Sequence, residues 1–531
     1  MKLPETKLHK SFSSDRGLAA SIGKNTIFGV LSSVVWAGTR LITVPIVISH
    51  LGLGGYGIWS IIMATGAYMR FGTAGIKSAF QKYVAEATGT GDYEKASRLV
   101  STGSICILIL SILGLIPIAV FSRKIAKASG VPPEFLVSAA ASITLLAFTY
   151  LISNFGAAFE AIVTGGHRLD LTRKFNTVLA ICEAIAILAV LHFGYGLLAM
   201  TSIMAASELI YIFCCYLASH AVVPEIRIRI AFFTKSMFPE LIRFAGSYQL
   251  VNVLEVLYGA ICPIILLKFF GADAAGVVAV AVKVVSTALI AQDALLLPIL
   301  SGGTMVFASG SSERMRLFLA KSFKMTLMTS LPPLAFVCVF GTKMVLAWTG
   351  QATPLFLSAI WLIALGSFFK AISLLQLILY RSTGKALLDN VRQILRIAAT
   401  LTVAFFAKDI GFIGVLAGMA GAEFIGVIFM FFAMKTTFRA FSGRMFANDA
   451  FRIGAASCLI VGIGALAGLI PVTPATTPRV AAALKLCEVS LACMIVAWPA
   501  LVITKSVSGA EKRSLLDAII PGRKALAGEG A

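Results

Sequence analysis

The sequence predicts an all-α, polytopic membrane protein of about 14 transmembrane helices: two six-helix lobes related by a parallel repeat, plus two extra C-terminal helices. Three observations lead there. Hydrophobic residues make up 58% of the 531 positions and charged residues only 13%, against about 25% charged in a soluble domain. Apolar runs of membrane-crossing length recur from end to end, a crossing helix needing about 20 such residues. And glycine-bearing hairpins return at one fixed offset along the chain.

Taken in order, the spans fall near 25–48, 55–80, 99–121, 135–163, 177–193, 196–218, 240–268, 275–307, 325–347, 355–380, 393–407, 411–434, 453–470 and 481–504. Between 177–193 and 196–218 only the His192 to Gly196 turn divides the apolar stretch. The expected organisation is a cytoplasmic N-tail (1–24), an N-lobe (25–218), a central cytoplasmic loop (219–239), a C-lobe (240–434), helices 13 and 14 (453–504) and a cytoplasmic C-tail (505–531). The first 24 residues hold five Lys/Arg and no apolar core before Ile22, so they do not read as a cleaved signal. The segment Gln81 to Leu99, with Tyr93-Glu94-Lys95, reads as a short cytoplasmic amphipathic helix.

Positive charge sets orientation. With the N-terminus in the cytoplasm, inside segments hold 32 of the 45 Lys/Arg, outside hairpins eight, and five lie within spans. Both termini are then cytoplasmic, and the expected membrane is the inner (cytoplasmic) one. The same bias accounts for the net charge of +21 without nucleic acid as a partner, since basic loops face anionic lipid.

The hairpin after span one reads Leu51-Gly-Leu-Gly-Gly-Tyr-Gly57, and the one after span seven reads Phe270-Gly-Ala-Asp-Ala-Ala-Gly276. Gly52 pairs with Gly271 and Gly57 with Gly276, both 219 positions apart. The offset also carries Thr164-Gly165 onto Thr383-Gly384, and Pro45 and Pro263 break the matching helices almost in register. Six spans separate the copies, so both enter from the same side and their pseudo-axis runs along the membrane normal. A cleft between two such lobes is the expected substrate site.

Ionisable side chains inside spans are costly and mark function by default. The basic ones are Arg40, Arg70, Lys77, Lys283 and Lys370, the candidate substrate-binding residues. The acids are Glu160, Glu183, Glu208, Glu255, Asp293, Glu423 and Glu488; of these Glu255, Asp293 and Glu423 are candidates for binding a coupling ion. Helical spacing groups Asn25, Ser32, Trp36, Arg40 and Thr43 on span one, and Ser60, Arg70, Lys77 and Gln81 on span two. Tyr248, Asn252, Glu255 and Gly259 align on span seven, and Lys283, Ser286, Thr287 and Asp293 on span eight. Polar faces on equivalent helices of both lobes suggest one wet cleft. Against this, Lys77 and Lys370 sit where a lysine can snorkel to the interface. Glu183, Glu208 and Glu488 are expected to pair with a nearby Arg and hold helices together. Arginine binds phosphate through paired hydrogen bonds, so the basic stripes hint at an anionic substrate.

Several motifs are absent or misleading. Gly52-x-Gly54-x-x-Gly57 has the spacing of a dinucleotide fingerprint, but no strand precedes it, and it reads as a tight turn. No Walker A sequence occurs, no extramembrane loop exceeds about 25 residues, and a catalytic soluble domain needs about 100. The nine cysteines lie within predicted spans without metal-ligand spacing, so neither cofactor nor metal is expected. Gly414-x-x-x-Gly418 and Gly464-x-x-x-Gly468 read as close-packing sites.

The stretch from Asn25 through Gly52-Leu-Gly-Gly-Tyr-Gly-Ile-Trp59, then Arg70-Phe-Gly-Thr-Ala-Gly75 and Gly91-Asp-Tyr-Glu-Lys95, resembles the bacterial polysaccharide flippases of the multidrug/oligosaccharidyl-lipid/polysaccharide exporter superfamily. The likeness covers all spans by pattern and is sharp over residues 20–100. It implies two six-helix bundles around a V-shaped cavity, with no enzymatic step. It implies movement of an undecaprenyl-pyrophosphate-linked oligosaccharide to the periplasmic leaflet for lipopolysaccharide or exopolysaccharide synthesis, with a polymerase and glycosyltransferases as partners. The alternatives are a multidrug or cation antiporter, or a lipid II flippase, of the same superfamily. A membrane polysaccharide polymerase or ligase fits less well, because the outside hairpins are short.

Overall fold

The computed structural model describes residues 15–70, 74–295, 311–382, 386–437, 443–469 and 477–507, with isolated positions at 299, 303 and 306. The chain resolves into two compact units, Met1–Ala279 and Val280–Ala531. Its described residues form helices, turns and loops without a strand. Large apolar side chains face outward along these helices, such as Leu113, Ile185 and Trp361, as lipid contact requires.

In the first unit the helices are α1 (Asp15–Met69), α2 (Ala74–Thr90), α3 (Tyr93–Val120), α4 (Ser122–Ala128), α5 (Pro133–Gly165), α6 (Leu169–His192), α7 (Leu197–Val222) and α8 (Phe238–Ala288), which continues into the second. There follow α9 (Ser312–Thr349), α10 (Leu355–Ser382), α11 (Ala386–Ala407), α12 (Phe412–Thr437), α13 (Gly443–Ala467) and α14 (Pro478–Ile503).

Among the described residues, eleven helices are long and apolar enough to cross a membrane. They account for thirteen of the fourteen expected spans. The first and second spans run together in α1 across a kink at Gly52, and the seventh and eighth in α8 across a kink at Gly271. The eleventh span, α11, carries Asp389, Arg392 and Arg396 in its first half and is not among the eleven. The His192 to Gly196 turn separates α6 from α7 as expected, with Gly194 at φ 80°. The expected short cytoplasmic helix at 81–99 is corrected. That stretch is the end of α2 and the start of α3, joined at Gly91-Asp92, because Asp92 caps α3 by accepting from the Lys95 amide at 3.1 Å.

The kinks repeat in detail. Gly52 has φ 72° and ψ 173°, and Gly271 has φ 84° and ψ 179°. This corner of backbone space is essentially closed to side-chain-bearing residues. The matching starts are as telling: α3 and α9 begin 219 positions apart, capped by Asp92 and Ser311, also 219 apart. Within the first unit the two hairpins pack together reciprocally. A Cβ on Gly57 would strike the Ala272 carbonyl, and one on Gly276 would strike the Leu53 carbonyl. The Thr383-Gly384 anchor lies outside the described residues.

Helix α5 is the hub of the first unit, packing on α1, α2, α3, α4, α6 and α7. Its buried face is built from small residues, among them Ala139, Ser142, Ala147, Gly156, Ala158 and Ala161, which let backbones approach where no hydrophobic force separates helix from lipid. Phe80, Val84, Leu99, Val100 and Ile162 fill the core between α2, α3 and α5. The central loop lies along α3, whose Ser97, Ser101 and Thr102 hydroxyls accept from the amides of Arg227, Arg229 and Thr234 at 3.0–3.2 Å.

In the second unit, α9 packs on α10, α13 and α14, and α12 on α10 and α11. The two extra helices meet α9 through Phe340, Ile460, Val489 and Cys493. Arg479 at the start of α14 donates to the carbonyls of Ala347 and Trp348 that end α9. Both GxxxG segments are contact sites, Gly418 closing on Val403 and Gly464 on Cys493.

Gly52→Ala and Gly271→Ala are each expected to destabilise the protein by about 1–3 kcal/mol, read as a fall in melting temperature in detergent. Gly114→Ala, with ordinary φ and nothing within 4 Å of the new Cβ, is the neutral control.

Candidate functional site

The first unit contains a polar cavity of about 240 Å³, lined by Arg70, Lys77, Ser153, Asn154, Gly156, Glu160, Glu208, Tyr211 and neighbouring residues. Four helices shape it. The expected span 55–80 is divided between α1, ending at Met69, and α2, starting at Ala74, with Arg70 directly after the first half. The last carbonyls of a helix lack intrahelical partners, and hydrocarbon supplies none. Asn154 of α5, itself buried, donates Nδ2 to the Met69 carbonyl at 2.8 Å and to the Ser111 hydroxyl at 3.0 Å. Gly156 admits Ile212 of α7 against α5, where any Cβ would collide.

Both cations of the cavity are matched to acids. Arg70 Nη2 lies 3.1 Å from Glu208 Oε1. The same oxygen accepts from the Ser153 hydroxyl at 2.5 Å. The Arg70 guanidinium lies over the Tyr150 ring, 5.5 Å from its centre, an attraction between cation and ring face. Lys77 Nζ lies 2.6 Å from Glu160 Oε2, so Lys77 turns inward to a partner and does not snorkel. The Tyr211 hydroxyl is buried beside Glu160 and Cys215 without a hydrogen bond of normal geometry.

The remaining candidates are placed as follows. Arg40 reaches Glu183 of α6 at 4.0 Å and does not line this cavity. Thr43 is buried on the same helix, while the side chains of Asn25, Ser32, Trp36, Tyr248 and Asn252 lie outside the described residues. Gln81 donates to the Thr164 hydroxyl at 2.9 Å, tying α2 to the end of α5. Glu255 is half-buried on α8 in the first unit. Lys283, Asp293 and Lys370 belong to the second unit. There Ser286 and Thr287 donate back to the Lys283 carbonyl, and Asp293 is exposed within electrostatic reach of Lys370.

Glu423 is buried and paired with Arg396 of α11 at 3.2 Å, the Arg396 side chain being fully buried. One turn earlier Arg392 pairs with Asp389 at 3.0 Å, again buried. The sequence reading leaves Arg396 out of the basic residues within spans, although the expected span 393–407 contains it. Its signal was the spacing of Asp389, Arg392 and Arg396 on one helical face. Glu488, expected to bridge helices to an Arg, instead pairs with Lys485 three residues back on α14 at 3.2 Å, because no Arg of a neighbouring helix comes within ion-pair distance of it among the described residues.

The family model of polysaccharide biosynthesis proteins matches residues 22–301, which hold every part of this cavity. The chain belongs to that family. No curated protein matches it. Solved structures of similar fold include the lipid II flippase MurJ in an inward closed conformation, 15% identical, covering 89% of this chain and 97% of MurJ, with a TM-score of 0.64. An inward-facing multidrug resistance MATE family transporter of the MOP superfamily is 13% identical over 78% of this chain and 95% of its own, at a TM-score of 0.63. A MOP superfamily transporter from Pyrococcus furiosus, described as having a binding pocket of reverse polarity, is 14% identical over 80% of this chain and 95% of its own, at 0.55. The protein thus has the MOP transporter fold.

Removing one member of a buried ion pair costs about 3–5 kcal/mol, while replacing both by apolar residues is close to neutral. Arg396→Leu is therefore expected to cut the amount of folded protein in membranes, and Arg396→Leu with Glu423→Leu to restore it, as measured by fluorescence-detected size exclusion. Full transport by the double variant would show that Glu423 carries no coupling ion.

Proposed function

We propose that this protein moves an undecaprenyl-pyrophosphate-linked oligosaccharide from the cytoplasmic to the periplasmic leaflet of the inner membrane by alternating access, with both termini cytoplasmic. The observation that carries the reading is the cavity where Arg70, in the turn after α1, and Lys77, on α2, converge beside the membrane-spanning helices α5 and α7. Membership of the polysaccharide biosynthesis family supports the sugar-lipid substrate, and the fold shared with a lipid II flippase supports the leaflet-to-leaflet movement.

The physical task is clear. Each unpaired sugar hydroxyl or phosphate oxygen costs several kcal/mol in hydrocarbon, so a polar passage lowers the barrier without chemistry. At about 240 Å³ the cavity lies below the range of about 300–1,000 Å³ for drug-sized ligands. It therefore suits the pyrophosphate, while the sugars lie elsewhere and the polyprenyl tail stays in lipid. Arg70 supplies planar donors and Lys77 a compact point charge. Arg40, Lys283 and Lys370 remain further candidates for the passage, and Glu255 and Asp293 for a coupling ion. An inside-negative potential favours outward movement of an anion by about 2.3 kcal/mol per charge per 100 mV.

Charge-assisted hydrogen bonds contribute about 1.5–3 kcal/mol each. Arg70→Ala and Lys77→Ala should each slow flipping of a fluorescent lipid-pyrophosphate-linked oligosaccharide in proteoliposomes by about tenfold or more, and together abolish it. Normal flipping by the double variant, present at normal level in the membrane, would remove this site from the pathway.

A further inference from the structure

A carrier must also cross its cycle empty, and two bare cations in a membrane cavity would then be costly. The cavity resolves this with one acid for each base: Glu208 for Arg70 and Glu160 for Lys77. Two cations and two carboxylates leave the empty site neutral. Yet a cation whose charge a fixed carboxylate already matches attracts a phosphate only weakly, even with donors to spare. Each acid therefore needs another partner to turn to when its base is taken.

Such partners are present. Ser153 already donates to Glu208 Oε1, the same oxygen that Arg70 approaches. Arg70 is half exposed and meets Glu208 through Nη2. Tyr211 holds a buried hydroxyl with no partner of normal geometry, beside Glu160. A buried hydroxyl without a partner is a standing cost that a fixed Lys77–Glu160 pair leaves unexplained.

We propose that Glu208 and Glu160 are exchangeable counter-anions that the substrate's two phosphates displace, Glu208 remaining with Ser153 and Glu160 passing to Tyr211 while Arg70 and Lys77 turn to the ligand. This rests on the transport reading above and adds the residues that set affinity and permit release. The cognate headgroup is a diphosphate, one phosphate per displaced carboxylate. A monophosphate displaces one acid and leaves the other pair closed. On departure the carboxylates return to their bases and expel the ligand, so binding stays reversible.

The test uses the full-length protein in nanodiscs with farnesyl pyrophosphate and farnesyl monophosphate as probes, alongside flipping in proteoliposomes. Glu208→Gln and Glu160→Gln should each bind farnesyl pyrophosphate about tenfold more tightly, the scale of close charge pairs, and flip more slowly because release is impaired. Ser153→Ala and Tyr211→Phe should weaken binding several-fold, and Ser153→Ala should have no further effect in the Glu208→Gln background. Wild type should prefer the pyrophosphate to the monophosphate. If the glutamine variants bind no more tightly while Arg70→Ala abolishes binding, the pairs are structural: the exchange is overturned and the transport reading stands. If Arg70→Ala and Lys77→Ala both bind as wild type does, the site itself is wrong and the exchange falls with it. Monodisperse elution of every variant confirms that folded protein is compared.

Discussion

Charge buried between helices in a membrane is the constraint on which the first unit is organised. Lys77, Glu160 and Glu208 come from three different helices and Arg70 from the turn after α1, and none could be left in hydrocarbon alone. Their mutual neutrality lets the helices close around a polar space. The supporting features follow from that need. Asn154 satisfies a carbonyl at the end of α1, and Tyr150 presents its ring face to Arg70. Gly156 draws α7 close enough for Glu208 and Tyr211 to reach the cavity. The polar site and the small-residue packing of α5 are two consequences of one requirement: backbones must approach for side chains to pair across them.

The second unit meets the same constraint differently. Arg396–Glu423 and Arg392–Asp389 are buried almost completely, whereas Arg70 in the first unit is half exposed. The two units thus differ in what their charges do. The closed Arg396–Glu423 pair holds α11 against α12. Pairs that face a cavity can be opened by a ligand. Accessibility, more than charge itself, separates a binding group from a structural one.

The duplication explains why glycine recurs where it does. At Gly52 and Gly271 the backbone turns through a conformation that side chains forbid, and a few residues on, Gly57 and Gly276 let the two turns touch. The family match, residues 22–301, takes in the first copy and both hairpins.

Composition and periodicity by themselves determined the membrane fold, the near positions of the spans, the repeat offset and the identity of the intramembrane charges other than those of α11. Each of these is local: an apolar run of given length, a glycine at a fixed spacing or an arginine inside a span can be read without knowing what lies beside it. The family likeness was legible in the stretch around Gly52 to Lys95 for the same reason. Tertiary structure alone decided which charges meet. The sequence makes Arg40 and Arg70 alike substrate-binding candidates, whereas packing sends Arg40 to Glu183 and brings Arg70 and Lys77 to one cavity. The stripe on span two assumed an unbroken helix from Ser60 to Gln81, and α1 ends at Met69. Arg396 lies inside the expected span 393–407, and only Glu423 packed against it shows that it is a buried, paired charge. Pairing partners lie from 27 to 143 positions apart in the chain for Arg396–Glu423 and Arg40–Glu183, and no one-dimensional pattern encodes which helix faces which.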